Sequence, residues 1–296
     1  MAVNPLELAD VAKKETIKLL PTAFKEASIL TKMGSTNVAY ETKLVRDFTT
    51  GGAQNTFEGE MKKSTEQSFR DVPVYTGKQV STLFVSREVE KNDEGKAVIA
   101  AKSAGVLTDL MHSLDITILN GTNAADGTAI TQFADVNLKD NARQSVVTTT
   151  AEAGLVELLK SNKSRQGVIA SNKGFDEIAF AQNAAGLPKY PISEEGERVK
   201  FFNSWLTRGS ALGKDGYKPE EVEIENDNLF LVGNFGQIGR GFNGVEVNRW
   251  DQATWDGIPL AQHNLVAYVY ELFYSFYIFN PESFGILKAA PAEEGE

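Results

Sequence analysis

Hydrophobic side chains recur at three- and four-residue steps through residues 94–119, which is the spacing of one face of an α-helix. These apolar positions include Leu107, Leu110, Met111, Leu114 and Ile118. Asn92 or Asp93 can cap the N-terminus of such a helix through its side-chain oxygen. Gly121 can end it, because glycine readily adopts the left-handed conformation found after helices. The pattern therefore predicts one long helix over residues 94–119.

Before this helix, β-branched and aromatic residues alternate with polar ones from residue 36 onward, which predicts strands with one solvated face. The middle of the region, residues 49–67, has only Phe57 and Met61 as large apolar side chains. A free-standing hairpin with so little apolar surface cannot offset the entropy that it loses on ordering. We therefore interpret residues 36–75 as an extended β-hairpin loop that contacts another molecule.

The stretch 6–30 has apolar side chains at loosely helical spacing among lysines and glutamates. An amphipathic stretch of this kind has to pack either on its own domain or on a neighbouring molecule. Residues 1–35 are therefore interpreted as an N-terminal arm.

Short helix and strand patterns alternate after residue 148, which indicates a mixed α+β lobe. Thr149 and Glu152 have the spacing of a capping box before one helix, and a second helix is predicted over residues 172–186. The later run NLVAYVYELFYSFYIF is apolar on nearly both faces and predicts a central, buried strand. Glu271 is the one charged residue in the middle of that strand.

Four glycines lie within nine residues of the stretch LFLVGNFGQIGRGFNG: Gly233, Gly236, Gly239 and Gly241. A P-loop needs a lysine and a hydroxyl residue after its last glycine, but this chain continues with a phenylalanine, an asparagine and a glycine. A dinucleotide-binding motif needs a helix to begin there, whereas the next residues alternate as in a strand. We interpret the glycines as turn-forming residues. A nucleotide-binding enzyme that uses residues 233–241 is the remote alternative.

Composition restricts the function further. The chain has 296 residues, a formal net charge of −10, no cysteine and only two histidines, His112 and His263. Thiolate metal sites and cysteine nucleophiles are excluded, and we expect neither an enzymatic activity nor a bound metal or cofactor. No secretory h-region and no membrane-spanning apolar run occurs. The acidic charge argues against a dedicated DNA-binding protein, because phosphate contacts require basic residues.

The stretch LFLVGNFGQIGRGFNGVEVNRWDQATW, followed by NLVAYVYELFYSFYIFNPESFGILKAA, resembles the C-terminal half of major capsid proteins of tailed bacteriophages. In that family a strand ends in a glycine-rich turn, an alternating strand and an acidic turn follow, and a long strand ends at a proline. Upstream, VPVYTGKQVSTLFVSREVEKND is similar to the strand that leads into the family's spine helix, and LDITILNGT is similar to the end of that helix. The resemblance covers nearly the whole chain.

This resemblance implies an α+β, HK97-like capsid fold with a long spine helix, an axial domain, a peripheral domain, an extended β-hairpin loop and an N-terminal arm. The implied division is an arm (1–35), an extended loop (36–75), a peripheral domain (76–147) containing the spine helix (94–119), an axial domain (148–262), a return strand to the peripheral domain (263–290) and a disordered tail (291–296).

The resemblance also implies the function of a major capsid protein. Copies would form pentamers and hexamers of an icosahedral head in the virion, assembled in the host cytoplasm around double-stranded DNA that is not bound sequence-specifically. The negative charge agrees with this, since a strongly basic lining would hold the packaged DNA. The capsid-like pattern begins at residue 36, so we expect a separate scaffolding protein, besides portal and decoration proteins.

Some members of the family join subunits by an isopeptide bond between a loop lysine and an asparagine, promoted by a buried glutamate. By this resemblance Lys62 or Lys63 would attack Asn264, with Glu271 as the carboxylate that accepts a proton. The alternative is that Asn264 and Glu271 serve only packing and hydrogen bonding.

The first rival function is an encapsulin-like cellular nanocompartment shell of the same fold, which would enclose a cargo protein instead of a genome. Such shells usually have a reduced arm and a differently oriented loop. The long hairpin region 36–75 therefore favours the virus.

Overall fold

The computed structural model describes residues 28–40, 44–50, 67–146, 150–162, 167–194, 196–217, 228–252, 254–255 and 257–289. Most of the predicted arm, the tip of the hairpin with Lys62 and Lys63, Thr149 and the tail 291–296 lie outside the described residues.

The described residues form six α-helices and fourteen strands. The helices are α1 (Ile29–Lys32), α2 (Arg87–Lys91), α3 (Asp93–Asn120), α4 (Leu138–Asn141), α5 (Ala151–Ser161) and α6 (Asn172–Ala179). The strands are β1 (Thr36–Ala39), β2 (Leu44–Thr50), β3 (Gln67–Pro73), β4 (Tyr75–Ser86), β5 (Arg143–Val146), β6 (Gly167–Ala170), β7 (Arg198–Phe201), β8 (Ser204–Arg208), β9 (Asn228–Gly233), β10 (Ile238–Trp250), β11 (Thr254–Trp255), β12 (Ile258–Pro259), β13 (Leu265–Ile278) and β14 (Gly285–Lys288).

The long helix α3 begins and ends within one residue of the predicted range 94–119. The Asn92 side chain accepts a hydrogen bond from the backbone N–H of Glu94 at 3.2 Å, and this caps the first turn. Gly121 follows the last turn with a φ of 67°, and its N–H donates to the Thr117 carbonyl at 2.9 Å. A residue with a Cβ would be strained in that conformation. The predicted spine-like helix is therefore confirmed, with 28 residues.

The first sheet has the order β1-β10-β13-β4. Strands β10, β13 and β4 are antiparallel neighbours, and β1 pairs parallel to β10 at the edge. The predicted central strand is β13, which lies between the two other long strands and is buried along most of its length. Helix α3 packs on one face of this sheet, where the Ser103 hydroxyl is hydrogen-bonded to the Tyr270 hydroxyl at 2.5 Å.

The second sheet has the order β5-β14-β9-β6-β8-β7, with β9 buried throughout. Its central strands present successive residues to two different cores, as a period of two requires. Ile169 and Leu231 join the core around α3, whereas Val168 and Val232 join the core under α5 and α6. The sheet is therefore covered on both faces.

Strands β2 and β3 form a two-stranded ribbon, paired from Leu44 opposite Pro73 to Thr50 opposite Gln67. The paired strands begin later than the predicted range 36–75. Thr36–Ala39 is β1 and pairs with β10 in the first sheet, because its alternating side chains fit the edge of that sheet as well as they would fit a hairpin. The prediction of one loop over residues 36–75 is therefore wrong at its start, because residues 36–39 belong to the first sheet.

The ranges predicted for the domains do not coincide with the two sheets. Strand β10 lies within residues 148–262 but pairs with β1 and β13 in the first sheet, while β5 and β14 lie outside that range and belong to the second sheet. The chain crosses between the sheets several times, and local patterns carry no information on such crossings. The division into peripheral and axial domains stays a prediction.

Candidate functional site

The glycine-rich stretch joins the two sheets. Gly233 ends β9, residues Phe235–Gln237 form a single 3₁₀ turn, and Gly239 and Gly241 lie within β10. No α-helix begins in this fully described stretch, so it has no α-helix N-terminus that could face a pyrophosphate. The geometry does not support the nucleotide-binding alternative.

Three of the four glycines, Gly233, Gly239 and Gly241, are explained by close packing, whereas Gly236 lies in the 3₁₀ turn. None of the four has a positive φ, so none of them uses the left-handed conformation that glycine permits. A Cβ on Gly239 would overlap the ring of Tyr277, and one on Gly233 would overlap the ring of Phe284. A Cβ on Gly241 would lie 3.0 Å from the backbone of Ala39. The predicted turn-forming role therefore fits Gly236, and close packing is the reason for the other three glycines.

The structure gives Glu271 a partner. Its carboxylate accepts a hydrogen bond from Lys78 Nζ on the neighbouring strand β4 at 2.7 Å, and the two side chains are 20% and 44% exposed. Strand β13 is therefore partly exposed to solvent at Glu271. This contact agrees with the alternative in which Glu271 serves as a structural hydrogen-bonding group.

Asn264 lies in the turn just before β13, with a φ of 55°. Its carbonyl accepts the Arg87 N–H at 2.9 Å, and its Nδ2 lies 3.4 Å from Glu88 Oε1. Glu271 lies seven positions after Asn264 along extended chain, or about 23 Å away at about 3.3 Å per residue. The structure therefore does not bring the two groups together within one chain. Because Lys62 and Lys63 lie outside the described residues, the isopeptide bond stays a hypothesis about contacts between copies.

The two faces of the β2–β3 ribbon differ. Arg70 and Val72 point toward the body: Val72 is 2% exposed, and Arg70 donates to the carbonyl of Phe279 just after β13. Residues opposite each other in an antiparallel pair share a face and alternate along the strand. Phe69 and Asp71 therefore lie on the outer face, where Phe69 is 60% exposed and Asp71 accepts from Arg46 Nε at 3.1 Å. The outer face carries an aromatic ring and a surface ion pair.

Two charged groups inside the body escaped the sequence analysis. Glu90 of α2 accepts two hydrogen bonds from Arg249 of β10, at 2.6 and 2.9 Å, and one from the Tyr268 hydroxyl at 2.6 Å. The Arg249 hydrogen bonds hold the pKa of Glu90 below its ordinary value, and burial together with Glu90 raises the pKa of Tyr268. In the sequence, Glu90 is a carboxylate in the first turn of a helix. Such a residue favours the helix dipole and is usually exposed, so its burial could not be predicted.

The second group is Asp115, which lies in the apolar end of α3 and is fully buried beside Arg240 of β10. A charged residue inside the apolar run LDITILN, and an arginine between two glycines, were visible signals in the sequence. Neither local pattern identified the other residue as its partner.

Within the described residues no group of three or more histidine, aspartate and glutamate side chains is placed to hold a metal ion. A separate search of the same residues finds no helix with the length and apolar character needed to cross a membrane.

The fold is similar to that of solved phage structures. A chain from Mycobacterium phage Ogopogo superposes with a TM-score of 0.68 and 19% sequence identity, covering 89% of this chain and 92% of that one. A chain from Gordonia phage Cozz gives 0.67 and 16%, covering 89% and 87%. A chain from the capsid of a native GTA particle gives 0.55 and 10%, covering 88% and 90%.

No protein-family model matches the chain, and no curated protein sequence matches it either. The likeness is therefore one of fold, over about nine tenths of both partners in the first comparison. The α+β, HK97-like capsid fold predicted from the sequence is confirmed.

Proposed function

We propose that this chain is the major capsid protein of a tailed bacteriophage, whose copies form the pentamers and hexamers of an icosahedral shell around double-stranded DNA. One observation carries the proposal: the fold is similar, over almost the whole chain, to chains from phages and from the capsid of a GTA particle. The motif order found in the sequence supports the same function independently of the superposition.

The ribbon supports the proposal physically. Its inner face is held to the body by Val72 and Arg70, while its outer face exposes Phe69. A two-stranded ribbon has two sheet edges and one unpacked face, and it gains stability when another surface covers them. In a shell that surface belongs to a neighbouring copy. We infer that the ribbon of each subunit contacts an adjacent subunit.

We further propose that the protein has a structural role without catalysis, that it is located in the virion and that it assembles in the host cytoplasm. It also includes a separate scaffolding protein, a portal and decoration proteins as partners. The net charge of −10 supports an interior that holds DNA without binding it tightly.

The experiment is co-expression of the chain with the genes beside it, followed by nuclease treatment of purified particles and extraction of protected nucleic acid. We expect closed shells that protect double-stranded DNA when the packaging genes are present. Shells that hold one cargo protein and no DNA would support the nanocompartment instead. A protein that stays monomeric in every combination of genes would overturn both.

A further inference from the structure

The segment 28–35, named here the anchor segment, begins the described chain and contains helix α1. Ser28 and Leu30 are 0% exposed and Ile29 is 6% exposed, so this short stretch is part of the core. Gly34 then turns the chain with a φ of 84°, and β1 follows at the edge of the first sheet.

The anchor segment lies between the two sheets. Toward the second sheet, Ile29 packs with Ile169 of β6 against the α-carbon of Gly209, and Met33 lies against Gly167. Lys32 forms an ion pair with Glu197 at 3.0 Å on the same side. On its other side the segment contacts α3 and β10. It therefore fills the junction at which both sheets meet α3.

A buried polar network holds the segment on the side of α3. Asp115 accepts hydrogen bonds from the Ser28 hydroxyl at 2.8 Å and from the Ile29 N–H at 2.7 Å. Arg240 Nη1 donates to Ser28 Oγ at 2.8 Å and to Asp115 Oδ1 at 3.2 Å, and Nη2 donates to the Thr31 hydroxyl. The Asp115 and Arg240 side chains are each 1% exposed. Burial raises the pKa of Asp115, and Arg240 opposes that rise.

A buried ion pair contributes little stability relative to apolar packing, since both charges lose their hydration. Its effect is on specificity, because each charge needs its particular partners. If the anchor segment slipped by one residue, Ala27 or Ile29 would replace Ser28, and neither side chain has a hydroxyl. Asp115 and Arg240 would then both have an unmet hydrogen bond in the core, which is costly.

We propose that Asp115 and Arg240 form a register lock for the anchor segment, which fixes the position of residues 28–35 between the two sheets. Both are positioning residues, because they hold Ser28 and Thr31 in place through hydrogen bonds. The rest of the subunit is held together by its apolar core. The lock is a property of the single subunit, so it holds whether or not the chain builds a shell.

The first test compares Ser28→Ala with Ser103→Ala by hydrogen exchange on the full-length protein. Both changes remove one buried serine hydroxyl, but the Ser103 hydroxyl bonds the Tyr270 hydroxyl and the Ile99 carbonyl, and none of the residues of the lock. We expect Ser28→Ala to speed exchange in peptides covering residues 28–35 by about tenfold, while peptides from β13 stay unchanged. Ser103→Ala should leave residues 28–35 protected. Unchanged exchange in Ser28→Ala, or equal acceleration in both variants, would overturn the proposal.

The second test compares Asp115→Asn with Glu90→Gln. The control Glu90→Gln removes the charge from the partly buried ion pair between α2 and β10, which does not contact the anchor segment. Trypsin can cut after Lys32 only when the anchor segment leaves its site. We expect Asp115→Asn to be cut there faster than the parent protein, and Glu90→Gln at the parent rate. Equal rates in all three proteins would contradict the lock. If Asp115→Asn does not fold, the hydrogen exchange of Ser28→Ala, which keeps the ion pair, still tests the proposal.

Discussion

The ring of Tyr277 on β13 lies directly against the α-carbon of Gly239 on β10, at the position that the Cβ of any other residue would occupy. Gly239→Ala should therefore destabilise the subunit by about 1–3 kcal/mol, because the added methyl group must displace a ring in a packed sheet. Urea unfolding of the purified subunit measures this free energy.

The matched control is Gly105→Ala on α3, where an added Cβ meets nothing within 4 Å. That change should stabilise the subunit by up to about 1 kcal/mol, because alanine has the higher helix propensity. If both substitutions leave the unfolding free energy unchanged, the close-packing account of the glycines is wrong.

The Glu90–Arg249 pair should make stability depend on pH in a defined direction. Arg249 holds the pKa of Glu90 below its ordinary value of 4.5, so the folded state favours the carboxylate. The stabilisation is present above pH 4.5 and is lost as the pH falls through the lower, folded-state pKa.

Arg249→Met should reduce the free energy of unfolding by about 1.5–3 kcal/mol at neutral pH, since charged hydrogen bonds to a buried carboxylate are lost. The difference from the parent protein should shrink below pH 4.5, where Glu90 begins to be protonated in the unfolded state. Lys32→Met, which removes a partly exposed ion pair with Glu197, is the control and should cost less than about 1 kcal/mol. A deficit in Arg249→Met that stays constant down to pH 3 would contradict this role of Glu90.

Glu271 is predicted to be structural and not reactive. Because its ion pair with Lys78 is partly exposed, Glu271→Gln should cost less than about 1 kcal/mol. Assembled particles boiled in denaturant should give a single band near the monomer mass of 32.3 kDa. A ladder of higher bands in the parent that is lost in Glu271→Gln and in Lys62→Arg/Lys63→Arg would support the isopeptide bond instead.

The ribbon is predicted to matter for assembly and not for folding. Replacing residues 51–66 by an Asn-Gly turn keeps the paired strands β2 and β3 and closes them with a favoured hairpin turn. The variant should stay soluble with the parent helix content and form few closed shells, because contacts with neighbouring copies are lost. Removing the tail 291–296 is the control and should leave the yield of shells unchanged. A normal yield of closed shells from the ribbon variant would contradict the predicted role of the ribbon in assembly.

Elements with strong local signals could be predicted from the sequence. Helix α3 has a side-chain cap at Asn92 and a left-handed glycine at its end, and both are local features. Strand β13 was predictable because a long apolar run of β-branched and aromatic residues fits a central strand. The helix predicted over 172–186 ends earlier, after Ala179, since Phe180 and the following residues turn into a loop.

Partners distant in the chain could not be predicted. Asp115 and Arg240 are 125 residues apart, and Arg249 is 159 residues from Glu90, so no local pattern links them. The capping box predicted at Thr149 also differs: Thr150 caps α5, and Glu152 instead bonds Lys189 and the Tyr190 hydroxyl. Such pairings depend on how the chain crosses between the two sheets, which hydrophobic periodicity does not encode.

Electron cryomicroscopy of the assembled protein is the most direct test of the central claim, that this fold builds a closed shell. We predict icosahedral particles whose density fits the subunit as pentamers and hexamers, with the outer face of each β2–β3 ribbon on a neighbouring copy. Co-expression with its scaffolding gene should raise the yield of such particles. A chain that stays at the monomer mass of 32.3 kDa, or particles in which Phe69 faces solvent in every subunit, would contradict the account.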